Sequence, residues 1–269
     1  MNQELHSMVK QLNHPFITET EVIAWSCPVP LFGNIVNAKI ATLGLNPSNR
    51  EFVDQDGIEL SGSERRFQTL SSLGLNCWSN VKPKHINLIL EDCEDYFNRN
   101  PYDAWFKKLD HIISGTSMSY YFPSGQACHL DLIPFATSRK WSELSSIQQD
   151  LLLTNSSEYF ASILNSSKIE LLILNGRTVV NNLQKMSDVI FTEIHMPGWT
   201  LPRRESEGVS GYAYIGVINS IAGMSLKKSI TILGYNHNIQ SSFGVTKNVQ
   251  KSIRDWVTEK TKEIFHEKK

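Results

Sequence analysis

What most restricts this chain is its rhythm. Four short runs, nearly all apolar and rich in β-branched side chains, alternate with longer segments of helical character. The runs are Lys39–Leu45 (KIATLGL), Ala127–Ile133 (ACHLDLI), Ile169–Asn175 (IELLILN) and Ser229–Asn236 (SITILGYN). A strand apolar on both faces is one covered on both faces, which is the mark of a parallel sheet. Helices are expected at Glu64–Leu75, Pro101–Ile113, Ser145–Leu164 and Thr246–Phe265. The last carries Val249, Ile253, Trp256 and Val257 at the spacing of one helix face. Strands alternating with helices imply an α/β chain with right-handed crossovers.

Two segments depart from this rhythm. Val189–Leu226 holds MPGWTLPRR, a polar stretch and the strand-like GYAYIGVIN, and reads as an inserted hairpin or an extension of the sheet edge. Ser48–Ser63 is polar and contains glycine, as a long loop after the first strand would. The terminal HEKK is a short charged end, expected to fray.

Composition serves mainly to exclude. With 269 residues, 41% hydrophobic and 20% charged, the chain is of ordinary globular type and long enough for one large domain or two small ones. No apolar run approaches the roughly 18–20 residues of a membrane helix, and the start has no basic-then-apolar secretory pattern, so a cytoplasmic protein is expected. Lys and Arg number 26 against 27 Asp and Glu, which excludes a surface coated in positive field but not a local basic patch. Cys27, Cys77, Cys93 and Cys128 form no CxxC pair, so buried free thiols are expected rather than a zinc or iron–sulfur site. There is no phosphate loop, dinucleotide fingerprint, His-Glu-x-x-His or deaminase zinc motif.

In parallel sheets ligands bind beyond the carboxyl ends of the strands. Here the first run ends in Asn46-Pro47-Ser48, the third in Asn175-Gly176 and the fourth in Asn236-His237-Asn238; the second carries Asp131. Each of these alone is an ordinary cap or turn residue. Polar groups from these separate stretches are expected to converge at one rim, and their joint placement is the information.

Gly44-Leu45-Asn46-Pro47-Ser48 resembles the first motif of the uracil-DNA glycosylase superfamily, Gly-x-Asn-Pro-Gly in its mismatch-specific and single-strand-selective branches. Arg66-Phe67 is similar to the Asn-Arg-Phe-Trp helix start of the mismatch-specific branch. His129-Leu130-Asp131-Leu132-Ile133-Pro134 resembles the Val-His-Asn-x-Cys-Pro strand of the single-strand-selective branch. Asn236-His237-Asn238 falls where the superfamily has a His-Pro-Ser or Asn-Pro-Ser loop. The pieces extend from about Ile40 to Trp256. Three positions depart from the pattern: Ser48 replaces Gly, Asn238 replaces Pro, and Asp131 replaces the Asn that reads uracil.

The resemblance implies one domain over residues 1–269, with residues 189–226 as the insertion. It implies a three-layer α/β/α sandwich around a mainly parallel four-stranded sheet. It further implies hydrolysis of a base–sugar bond in DNA, on a nucleotide flipped from the stack, without metal or cofactor. Asn46 would orient the attacking water. His237 would donate to the base O2 as negative charge builds there, with Asn236 in its place if the loop is shifted by one residue. Asp131 would read the base. An ionised Asp only accepts, which suits the exocyclic amino group of cytosine and not uracil; protonated by burial, it could also donate to cytosine N3. Because removing ordinary cytosine would be lethal, the expected substrate is modified cytosine, such as the glucosylated hydroxymethylcytosine of phage DNA.

Further substrate contacts are expected from Gly44, Leu45, Pro47, Ser48, Glu59, Asn175 and Arg203, with Asp54, Gly57 and Arg204 near a bulky substituent. Phe52 would sandwich the base, and Ile239 or Phe243 would fill the hole it leaves. Asn238, Gln240, Ser241 and Lys247, together with Lys82, Lys84, Arg139 and Lys140, would contact the DNA strand. A uracil-specific enzyme of the same fold, a non-catalytic modified-DNA-binding module and a nucleoside hydrolase remain as alternatives.

Overall fold

The computed structural model describes every residue except Asn100, Pro101, Ser206 and residues 267–269, and it leaves aside the side chains of Asp103 and His266. Pro101, where one helix was expected to begin, and the charged end over 267–269 therefore lie outside the described residues.

All four apolar runs form strands. They are β1 (Ile40–Gly44), β2 (Ala127–Asp131), β3 (Leu171–Asn175) and, after β4 (Thr192–His195) and β5 (Tyr212–Ile221), the long β6 (Met224–Tyr235). The strand order is β2-β1-β3-β6-β5-β4. The first four are mutually parallel, while β5 runs antiparallel to β6 and β4 antiparallel to β5. The chain is thus α/β, but the sheet has six strands and is mixed, where four were expected. The cause lies in the segment 189–226, which extends the sheet. Ala222 and Gly223 both hold positive φ, 49° and 78°, between the ends of β5 and β6. That is the backbone of a two-residue hairpin turn whose twist matches the flanking strands. Burial follows this order. Every residue of β2 and β3 is buried, and every residue of the edge strand β4 is exposed.

The helices are α1 (Asn2–Gln11), α2 (Phe16–Glu19), α3 (Pro83–Glu94), α4 (Tyr96–Arg99), α5 (Asp103–Ile113), α6 (Ser146–Ser166), α7 (Arg177–Met186) and α8 (Lys247–His266). The expected helices at 101–113, 145–164 and 246–265 correspond to α5, α6 and α8. Ser145 opens α6 with reciprocal bonds: its Oγ accepts from the Gln148 amide at 3.3 Å, and the Gln148 side chain accepts from the Ser145 amide at 2.9 Å. The expected helix over Glu64–Leu75 does not form. There the Ser72 hydroxyl accepts from the Thr69 amide and donates to the Gln68 side chain, each at 2.8 Å, and Thr69 Oγ1 accepts from the Ser72 amide. These short polar side chains give the backbone a local alternative to the helix ladder. In packing, α6 and α7 contact each other and β6, and α5 lies against α8. Among the described residues no helix is long and apolar enough to cross a membrane. Cys27, Cys93 and Cys128 are buried free thiols, whereas Cys77, also free, is partly exposed where burial was expected.

Candidate functional site

Beyond the carboxyl ends of the parallel strands lies a cavity of about 710 Å³. Register explains its position. Gly44 and Asp131 are paired across the ends of β1 and β2, and Asn175 and Tyr235 across the ends of β3 and β6. The loops leaving these four ends converge over one space. Gly44, Leu45, Asn46, Pro47 and Ser48 line it from β1, and Asp131 lines it from β2. Asn175 lines it from β3, and Asn236, Asn238, Gln240 and Ser241 from the loop after β6. Arg139 and Lys140 also reach it.

Asn46 is held through its amide nitrogen. Nδ2 donates to Thr137 Oγ1 at 3.1 Å, Phe135 O at 3.3 Å and Pro47 O at 3.4 Å. The side-chain oxygen has no protein partner among the described residues, so the group left for a ligand is a fixed acceptor.

Asp131 sits beside His129, with Oδ1 3.4 Å from Nε2. His129 in turn belongs to a buried chain. Its Nδ1 lies 2.7 Å from Thr42 Oγ1, which also bonds the Tyr120 hydroxyl. The proton direction along this chain is set at its far end. Burial pushes the Tyr120 phenol well above its ordinary value, so it is a neutral hydroxyl, and Thr42 is its only hydrogen-bond partner among the described residues. Tyr120 must therefore donate to Thr42, because otherwise its proton is orphaned in the core at a cost of about 1–3 kcal/mol. Thr42 then donates to His129 Nδ1. With Nδ1 accepting, Nε2 is the donor of the ring, 3.4 Å from Asp131 Oδ1.

Gly44 makes the room for that carboxylate. A Cβ at Gly44 would lie 2.3 Å from Asp131 Oδ1 and 3.1 Å from His129 Nε2. Close approach, not backbone conformation, requires glycine here.

Glu51 is a site residue that sequence reasoning missed. It lines the cavity yet is only 2% exposed. Tyr96 donates to its Oε1 at 2.8 Å, and an Arg66 guanidinium nitrogen lies 3.5 Å from Oε2. Desolvation pushes its carboxyl up to about 7; Arg66 and Tyr96 oppose this, and the charge of Asp131 adds to it. A carboxyl so displaced in a cleft is a mark of functional chemistry. Tyr102 and Trp105 were also missed. Their rings stack at 6.0 Å with 4° between planes, and both are half-buried on the cavity wall.

Several expected contacts lie elsewhere. His237 is 2% exposed, does not line the cavity, and bonds the Trp199 carbonyl through Nε2 at 2.8 Å. Burial holds its imidazole below the ordinary histidine range, so Nε2–H is the donor and the ring is a structural strut. Asn236 and Asn238 reach the cavity, while in the bend after β6 the His237 ring is drawn to the Trp199 carbonyl instead. Asn236 is not free to replace it. Its oxygen accepts from the Tyr212 amide and its nitrogen donates to Ser210 O, both at 2.8 Å.

Phe52 is 1% exposed and packs against Trp25 and Phe67, so it cannot sandwich a base. Ile239, at 3%, is core and cannot be a wedge. Phe243 is 81% exposed but lies off the cavity lining, clasped by the Arg203 guanidinium 5.2 Å above its ring. Arg203, Glu59, Lys247, Gly57, Arg204, Lys82 and Lys84 do not line the cavity, and Asp54 lines a neighbouring groove. Among the described residues no group of three His, Cys, Asp or Glu side chains is placed to hold a metal ion.

No protein-family model matches the chain, and no curated protein matches it.

Proposed function

We propose that this protein is a DNA glycosylase that takes an extruded cytosine-type base into the cavity and hydrolyses its bond to the sugar, leaving an abasic site. In this reading the helices form layers on both faces of the sheet, as in the superfamily that the motifs resemble. The observation that carries the proposal is the shared placement of Asn46 and Asp131. One presents a fixed neutral acceptor and the other an acceptor-only carboxylate, in one cavity.

The chemistry follows from those two groups. Asp131 accepts from the exocyclic amino group of the base; a keto oxygen at that place would meet it acceptor to acceptor. Asn46 accepts from a water and holds it near the sugar carbon. An amide is too weak a base to deprotonate that water early, so bond breaking runs ahead of attack. Negative charge then develops on the departing base. With His237 turned away, one neutral donor at the cavity wall is Gln240 Nε2. The Gln240 oxygen is held by the Asn175 amide, while its nitrogen has no partner among the described residues. Such a donor strengthens its bond as charge grows. The half-buried pair Tyr102 and Trp105 offers the stacking surface that Phe52 does not. A cavity of about 710 Å³ is larger than an unsubstituted pyrimidine needs and leaves room for a substituent on the base.

The test is mass spectrometry of bases released from DNA containing cytosine, hydroxymethylcytosine, its glucosylated form or uracil. Release of a modified cytosine, with unmodified cytosine and uracil left in place, is expected. Release of uracil alone would establish the uracil-specific alternative. Binding with no base released, unchanged by Asn46→Ala, would establish a non-catalytic module. Asp131→Asn is expected to slow release of the modified cytosine about tenfold, the worth of roughly one lost charge-assisted hydrogen bond, and to admit uracil. Single-turnover rates on both substrates check this.

A further inference from the structure

A second groove, of about 770 Å³, adjoins the cavity through Arg50 and Tyr102, which line both. Arg50, Arg65, Arg66 and Arg99 converge on it from separate segments: the loop after β1, the following connection and α4. The carboxylates among its lining residues are Asp54 and Glu64. Asp54 is turned to its own backbone, accepting from the amides of Asp56 and Ile58 at 2.9 Å.

Three of the four guanidinium groups have work within the protein. Arg50 donates to Asp54 O. Arg66 lies near Glu51 and over the Tyr102 ring at 4.8 Å. Arg99 donates to the Asp92 and Arg66 carbonyls at 2.8 and 2.9 Å, with Asp92 and Asp95 beside it. Arg65 differs. It makes no hydrogen bond or close ion pair among the described residues, although the Asp92 charge acts on it from further off, and in this half-buried side chain Nε is shielded from solvent without an acceptor. A desolvated charged donor with no acceptor is costly, and a ligand oxygen would satisfy it.

We propose that this groove binds backbone phosphates of the DNA strand whose nucleotide occupies the cavity, with Arg65 donating directly to a phosphate oxygen. The inference rests on the glycosylase reading for the identity of the strand. Guanidinium forks match phosphate oxygens two at a time. Contact with Arg50 and Tyr102 makes the groove continuous with the place where the base sits, so one strand can occupy both. A strand held here is anchored on the side of the β1 loop, opposite in sequence to the Asn238–Ser241 loop.

The test needs no base release. Binding of an unmodified single-stranded oligonucleotide is measured by fluorescence anisotropy across a salt series, for the wild-type protein, Arg65→Gln and Arg65→Lys. Arg65→Gln is expected to weaken binding several-fold at low salt and to reduce the slope of log affinity against log salt by about 0.7, the share of one phosphate contact. Arg65→Lys should restore the slope. An independent measurement uses the wild-type protein with oligonucleotides carrying single neutral methylphosphonate linkages; one or two linkages next to the target nucleotide should reproduce the loss. Unchanged slopes in both experiments would overturn the proposal. So would loss of inorganic phosphate or dCMP binding in Arg65→Gln with the oligonucleotide slope intact, which would mark a small-anion pocket. Arg65-dependent strand binding without any base released would leave the groove assigned and remove the glycosylase reading instead.

Discussion

Replacing Asn46 by alanine is expected to slow base release by about 100- to 1,000-fold under single-turnover conditions, the usual cost of removing one preorganised polar group from a reacting centre. Three bonds from its amide nitrogen fix the side chain so that its oxygen alone is left to orient water. Alanine removes the acceptor and leaves a small polar space that solvent can fill. Affinity for DNA should change little if the arginine-lined groove holds the strand as proposed; anisotropy measures this separately. His237→Phe provides the contrast. It strands the Trp199 carbonyl, which accepts from Nε2 at 2.8 Å, and should cost about 1–3 kcal/mol of stability. The rate constant of the folded fraction should remain within a few-fold of wild type. If His237→Phe stays fully stable and loses the chemistry, the histidine acts on the base after all and the present geometry is misread.

The second large effect is a pH dependence of stability. The Glu51 carboxyl is held at about 7 in the folded protein against 4.5 in an open chain, mainly because burial disfavours its charge. Between those values the folded state binds a proton that the unfolded state has released. The contribution of neutral Glu51 is therefore complete below about pH 4.5 and is lost as pH rises through about 7. The loss amounts to about 3 kcal/mol, since each unit of displacement is worth about 1.4 kcal/mol. Glu51→Gln has no proton to lose. Denaturant unfolding at pH 5 and pH 8 should show the wild-type protein losing stability relative to the variant by this amount. Parallel behaviour of the two proteins would show that Glu51 titrates as an ordinary carboxyl, and its place in the site would then be structural.

How much of this was legible in the sequence differs by element. The parallel strands were plain because burial on both faces leaves few polar side chains to confuse the pattern; β3 reads Leu171, Leu172, Ile173, Leu174 and every one is buried. Helix α3 was equally readable and was overlooked. Pro83 opens it, and buried Ile86, Ile89 and Cys93 follow at helical spacing. The segment 64–75 misled because Phe67, Leu70 and Leu73 imitate that spacing, while Thr69 and Ser72 divert the backbone. At the site, Asn46 and Asp131 could be found because each lies next to the end of an apolar run. Glu51 could not. Its burial is created by Tyr96 and Arg66, 45 and 15 positions away, and no local pattern encodes that. The choice of His237 over its neighbours failed because the chain bends after β6, and no local pattern shows that the ring meets the Trp199 carbonyl.

The missing side chain at Gly44 couples two positions that lie far apart in the chain. An aspartate at 131 can keep its carboxylate only while residue 44 has no Cβ, and even alanine there would push the acid out of place. Any descendant of this sequence that gains a side chain at 44 must therefore alter 131 before, or together with, it. Chains in which the glycine has been lost should carry a shorter or reoriented residue opposite it, so the two positions should vary as a pair.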